Sequence, residues 1–139
     1  MSTFNIKSHR PGVSYNMPHL FILNKGNNSG KPLFISCPNS FVIQLQSEDE
    51  KEQIYWLLYG LWQSNAFYQF LRGSVIPFIV LNDLKSCLRD GLKKVDENPA
   101  QFEKAVAALR NLEAIENQYK QNLLLIANAK RMLFYNFIC

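Results

Sequence analysis

Cysteine is scarce in this chain and badly placed for cross-linking. Cys37, Cys87 and Cys139 are an odd number at wide spacing, with no Cys-x-x-Cys pair. That pattern speaks against a disulfide framework and against a zinc site, and leaves buried thiols as the plain reading. The two histidines, His9 and His19, have no Asp, Glu or Cys partner at the spacing of a metal set. Ser40 and Ser74 lack the glycine frame of a nucleophile elbow. The expectation is a non-enzyme with no catalytic residue, no metal and no cofactor.

Long apolar runs are missing as well. No window approaches the roughly 18 apolar residues that span a bilayer, and Met1 to Lys7 has no signal-peptide core. A cytoplasmic protein without a membrane partner is expected. Acid is absent from residues 1–47, which carry Lys7, Arg10, Lys25 and Lys31. Residues 48–99 sum to −2 and residues 100–139 to +2, within a net charge of +4. An acid-free third of the chain favours a polyanionic partner, because phosphate attraction follows local rather than total charge. The other reading is a solvated surface.

What is present is a 139-residue chain, 47% hydrophobic and 19% charged, long enough to bury a core without metals or disulfides. Up to Gln46 the signals are strand-like: His19 to Leu23, Pro32 to Ile35, and Phe41 to Gln46, which ends in alternation. Between the first two lies Asn24-Lys25-Gly26-Asn27-Asn28-Ser29-Gly30-Lys31, a loop by every local rule. It is not a phosphate-binding P-loop. Three residues rather than four separate its glycines, and Pro32 stands where Ser or Thr is needed. Nucleotide hydrolysis is thereby excluded. The loop still offers charge from Lys25 and Lys31 and amides from Asn27 and Asn28, suited to phosphates or base edges; the alternative is an ordinary hairpin loop.

At Ser47 the period changes. Ser47 and Glu50 form a capping box, and the acids Glu48, Asp49 and Glu50 suit the positive end of a helix dipole, so a helix is expected to about Trp62. Ile54, Leu57, Leu58 and Leu61 recur at helical spacing, thickened by Tyr55, Trp56, Tyr59 and Trp62. A helix apolar nearly all round is read as core rather than as a base-stacking platform. Ser64-Asn65 interrupts it, and Phe67, Phe70 and Leu71 suggest a second short helix ending at Gly73. The stretch Arg72 to Lys85 then reads as turn, strand, turn: Gly73 frees the backbone, Pro77 withdraws a donor, and Phe78 to Leu81 suits a buried strand. Asn82 or Asp83 is placed to cap a helical turn after that strand, and Arg89-Asp90-Gly91 with Lys93 to Asn98 reads as a connection.

From Ala100 to Cys139 there is neither Gly nor Pro, and Asn98-Pro99 fits a helix start. Ala105, Leu112, Tyr119, Ile126 and Leu133 fall seven apart, with Phe102, Leu109, Glu116, Leu123, Lys130 and Phe137 as companions. This is a heptad seam with Glu116 and Lys130 as polar interruptions. A helix of about 38 residues measures about 57 Å, longer than a domain of this size is wide, so part of it needs a partner. The expected partner surface is Leu109, Leu112, Tyr119, Leu123, Ile126 and Leu133, closing a homodimer or taking a partner helix.

Two stretches in this order, Tyr55-Trp56-Leu57-Leu58-Tyr59-Gly60-Leu61-Trp62-Gln63-Ser64-Asn65-Ala66-Phe67 and Gly73-Ser74-Val75-Ile76-Pro77-Phe78-Ile79-Val80-Leu81-Asn82-Asp83-Leu84, carry a resemblance. Leu112 to Tyr119 and Lys130 to Phe137 extend it. Together they resemble the target-recognition half of the specificity subunit of type I restriction-modification enzymes, over about residues 20–137. The family's proline-rich opening of its spacer helix is replaced here by Ser86 to Asn98, with Pro99 kept. The resemblance implies a recognition-like α+β domain at residues 1–95 and a spacer-type helix at 96–139. The fold class expected is a small mixed domain with short strands and a capped helix, followed by one long C-terminal helix. The function implied is non-catalytic binding of double-stranded DNA by a dimer, with a methyltransferase subunit as a further partner. Lys25, Asn27, Asn28, Lys31, Arg72 and Ser74 are the expected DNA contacts. The alternative is a protein-interaction module on the same fold that binds no DNA.

Overall fold

The computed structural model describes residues 4–139. They form a mixed α+β fold that ends in one long helix. Four antiparallel strands, β1 (Asn5–Ser8), β2 (His19–Leu23), β3 (Pro32–Leu33) and β4 (Ser40–Gln44), lie in the order β1-β4-β2-β3. Three helices come after them: α1 (Glu48–Gln63), α2 (Leu81–Glu97) and α3 (Pro99–Ile138), with a 3-10 turn at Tyr68–Phe70. The chain divides between Asn98 and Pro99 into two compact units. α2 continues to Glu97, just before that division.

Register explains why the central strands are apolar on both faces. Ile6, Ile43 and Leu20 stand side by side across β1, β4 and β2, exposed by 3%, 0% and 0%. Ile22 and Phe41 pair on the same face, and each fully buried aliphatic of this size contributes about 1.5–3 kcal/mol. On the other face Phe21 pairs with Val42 and is roofed by His9 and Tyr15, whose ring centroids lie 4.9 and 6.2 Å from that of Phe21. The His9 ring is held by the Tyr15 hydroxyl at 3.0 Å, so this buried histidine completes an aromatic roof. The sequence signals place no strand at Asn5–Ser8; β1 forms because Ile6 finds Ile43, a partner 37 residues away.

The start of α1 follows from its cap. The Ser47 hydroxyl accepts the Glu50 amide at 3.1 Å, and Glu48, Asp49 and Glu50 fill the first turn. Its end is a Schellman motif: the Asn65 amide donates to Trp62 at 3.1 Å and the Ala66 amide to Leu61 at 2.9 Å. Asn65 stands at φ 62°, a left-handed position that asparagine tolerates better than other side chains. The expected second helix after it shrinks to the 3-10 turn, since Leu71 is already extended.

Three expectations for residues 78–98 are corrected. Phe78 to Leu81 is not a strand: the Phe78 amide and carbonyl are both spent on Arg72 at 2.9 Å, closing a short loop, and α2 begins at Leu81. Phe78 itself is 40% exposed while Ile79 is buried. The cap of α2 is Val80, so Asn82 and Asp83 fall in its first turn. Residues 89–98 are not a connection either, because α2 runs through them. Its buried residues Leu84, Cys87, Leu88, Gly91 and Val95 form one stripe, against α1 and β1. Gly91 is part of that packing: a Cβ there would lie 3.3 Å from Leu57 and 3.4 Å from Leu61. A glycine that reads as a break in the sequence is where the two helices close on each other.

A candidate nucleic-acid interface

The loop joining β2 to β3 is held by its own backbone. Gly26 and Gly30 take φ values of 97° and 100°, which any other residue type resists. The Gly30 amide donates to Leu23 at 2.7 Å, the Leu23 amide to Lys31 at 3.0 Å, and the Lys31 amide to Asn28 at 3.0 Å. Ser29 is buried, and its hydroxyl donates inward to the Gly26 carbonyl at 2.7 Å. Lys25, Asn27 and Asn28 are left exposed on the outside of a shaped loop, with Lys31 half-buried.

The turn at residues 72–78 is built onto this loop. Phe78 bridges both Lys25 and Arg72, the Gly26 amide donates to Pro77 at 2.6 Å, and the Ile79 amide donates to Asn24 at 3.0 Å. The two separate stretches that sequence reasoning selects therefore share one edge of the molecule. Within it the residues differ in what they present. The Arg72 guanidinium donates to the Asp83 carboxylate at 3.1 Å, so its charge is already partnered. Ser74 is exposed beside Val75 and Ile76, which are 89% and 52% exposed, giving that turn an apolar tip.

Lys31 introduces residues that sequence reasoning assigns elsewhere. Its ammonium sits 4.9 Å from the Trp62 ring centroid, a cation–π contact. From Trp62 a row of rings runs back along α1: Tyr59 at 5.7 Å, Tyr55 a further 6.0 Å on, and Phe34 of the loop after β3 stacked on Tyr55 at 4.6 Å. Lys51 closes the row, 5.8 Å from the Phe34 centroid. Ile54, Leu57, Leu58 and Tyr59 are core, as the helical spacing requires, but Tyr55, Trp56 and Trp62 are only half-buried. The available signal is the Tyr55, Tyr59, Trp62 spacing, which places one ring per turn along one side of α1.

A concavity opens where this row meets the loop. Asn27, Asn28 and Ser29 form one wall, and Trp62, Asn65 and Tyr68 are among the residues of the other. Gly30 makes the approach of the two walls possible: a Cβ there would run into the ring of Phe67, which is fully buried.

The second unit, residues 99–139, consists of α3. α3 is 40 residues long, about 60 Å, and no residue of it is buried. Of the expected partner surface, Leu112, Tyr119, Leu123, Ile126 and Leu133 are 63%, 67%, 67%, 52% and 75% exposed, while Leu109 is half-buried. Phe134 and Phe137 add 65% and 81%. Glu116 and Lys120 pair along the helix at 3.1 Å.

Among the described residues no cluster of His, Cys, Asp and Glu is placed to hold a metal, and no helix is long and apolar enough to cross a membrane. Of the three thiols only Cys87 is buried; Cys37 is half-buried and Cys139 exposed, against the expectation that all three lie inside. Burial, and then the Asp90 carboxylate, push the Cys87 thiol up.

Residues 6–136 match a family of unknown function, DUF6943. The chain belongs to that family. No curated protein and no solved structure matches it. Membership of DUF6943 covers both units, since the match runs from β1 nearly to the end of α3.

Proposed function

We propose that this DUF6943 chain is a non-catalytic, cytoplasmic DNA-binding module of the specificity-subunit type, assembling through α3. The observation that carries it is the shared edge of the Lys25–Lys31 loop and the 72–78 turn, tied through Phe78. Charge and amides meet there on a rigid backbone. Lys25 and Lys31 neutralise phosphates, and Asn27 and Asn28 face base edges from the same loop. Arg72 stands in an ion pair with Asp83 and contributes less than the lysines.

Affinity for duplex DNA then falls steeply with salt, since each neutralised phosphate releases counterions. Fluorescence anisotropy with random-sequence duplexes at low salt measures it. The double variant Lys25→Ala, Lys31→Ala is expected to weaken binding and reduce the salt slope by about 2. Flat titrations of the wild-type chain would sink the reading.

A second reading has its own support. The exposed Leu, Ile, Tyr and Phe side chains of α3 form an apolar surface unusual for a free helix in water, which marks a protein partner whether or not DNA is bound. On that reading the chain is an adaptor. Light scattering is expected to give a mass above the monomer, reduced by Leu112→Asp with Leu123→Asp. A wild-type chain that stays monomeric excludes self-association, and one that also ignores DNA counts against both readings.

A further inference from the structure

The concavity between the β2–β3 loop and the end of α1 has a composition that suits one flat polar ring. Amides supply the wall on the loop side, through Asn27 and Asn28, and reappear opposite at Asn65. Aromatic surface comes from Trp62 and from Tyr68, which is 63% exposed. Among the described residues no acidic side chain lines it. Its volume of about 130 Å³ is close to the roughly 150 Å³ of an engineered cavity that admits benzene. The walls are fixed: the loop is closed by backbone bonds from Gly26 to Lys31, and the opposite wall is turned by the Schellman motif at Asn65. Lys31 does not line the concavity, but its ammonium lies 4.9 Å from the ring centroid of Trp62, which does.

We propose that this concavity takes the unpaired base of a nucleotide. The base lies against Tyr68 and Trp62, its edge meets the amides of Asn27, Asn28 and Asn65, and its phosphate faces Lys31. Stacking on an aromatic face is tolerant of base identity, whereas a side-chain amide matches the donor–acceptor pair of adenine. A neutral sugar ring also stacks on aromatic rings and meets amides; the Lys31 ammonium beside Trp62 and the acid-free lining favour the anionic ligand. The inference rests on the nucleic-acid reading but concerns a single-stranded or free nucleotide, not the duplex.

The test uses the full chain with Trp56→Phe, which leaves Trp62 as its one tryptophan. AMP, a twelve-residue single-stranded oligo-dA, inorganic phosphate and glucose are titrated separately against Trp62 fluorescence. Saturable quenching by AMP and by the oligonucleotide is expected, with neither phosphate nor glucose reproducing it. Tyr68→Ala is expected to weaken both by about tenfold, within the range for loss of one base–aromatic stack. Asn28→Ala is expected to lower the preference for AMP over UMP, while far-ultraviolet circular dichroism stays unchanged. Quenching by phosphate alone, saturation by glucose instead, or nucleotide quenching indifferent to Tyr68→Ala would overturn the proposal. Duplex binding that persists with no nucleotide quenching overturns the base site and leaves the duplex reading standing; loss of duplex binding with quenching retained does the reverse.

Discussion

Replacing Gly30 by alanine strikes the point where the loop and the end of α1 meet. Two costs arise there. Gly30 stands at φ 100°, where an L side chain loses at least about 1–2 kcal/mol. The new Cβ also meets three atoms of the Phe67 ring, two of them at 2.6 Å and the third closer still, distances at which something must move. Phe67 is 2% exposed, so displacing its ring adds an overpacking cost of about 1–3 kcal/mol. Together they come to about 2–5 kcal/mol, a large part of the roughly 5–15 kcal/mol that holds a domain. Gly26 provides the control, with φ 97° and nothing within 4 Å of its added Cβ, so Gly26→Ala carries the backbone cost alone. Thermal denaturation monitored by tryptophan fluorescence is the assay, since Trp56 and Trp62 both lie in α1, in the same unit as Gly30. Gly30→Ala is expected to lower the midpoint by about 10 °C or more, at roughly 4–8 °C per kcal/mol. The gap between the two variants should narrow when Phe67 is shortened to leucine. Equal losses for Gly30→Ala and Gly26→Ala would refute the packing argument.

Ser47→Ala removes the side-chain acceptor of the Glu50 amide and is expected to cost about 1 kcal/mol in the same assay, with Ser47→Asp retaining most of it. Cys87 titrates above the ordinary thiol value of 9.0, so the folded chain keeps a proton that the unfolded chain releases, and stability falls as pH rises past that value. Cys87→Ala is expected to flatten that slope in denaturation curves collected across alkaline pH. A thiol reagent at neutral pH is expected to label Cys139 first and Cys87 only under denaturing conditions.

Much of the fold is legible because its causes are local. The apolar run at residues 19–23 coincides with β2, and the Ser47–Glu50 spacing marks the start of α1. The uninterrupted stretch after Pro99 is α3. Sequence and structure part where a local signal is outweighed by packing. Gly91 looks like a break, yet it lies inside α2 because α1 needs the space of a side chain there. Phe78 to Leu81 looks like a strand, yet its hydrogen bonds go to Arg72 and Asn24 instead of a sheet neighbour. The concavity has a weaker signal still: its walls come from residues about 35 apart in sequence, and the rings that line it also satisfy the pattern of a helix core.

By itself, the sequence determined where α1 and α3 start and that residues 19–23 form a strand, because capping and periodicity act over a few residues. It also determined that the stretch after Asn98 is one uninterrupted helix with apolar residues at heptad spacing. Only the tertiary structure decided that Lys25 and Arg72 lie on one edge, that Arg72 is engaged by Asp83, and that Trp62 stands beside Lys31. Those are outcomes of sheet order and helix crossing, which depend on pairings such as Ile6 with Ile43 and Gly91 with Leu57, and no short stretch of chain encodes them.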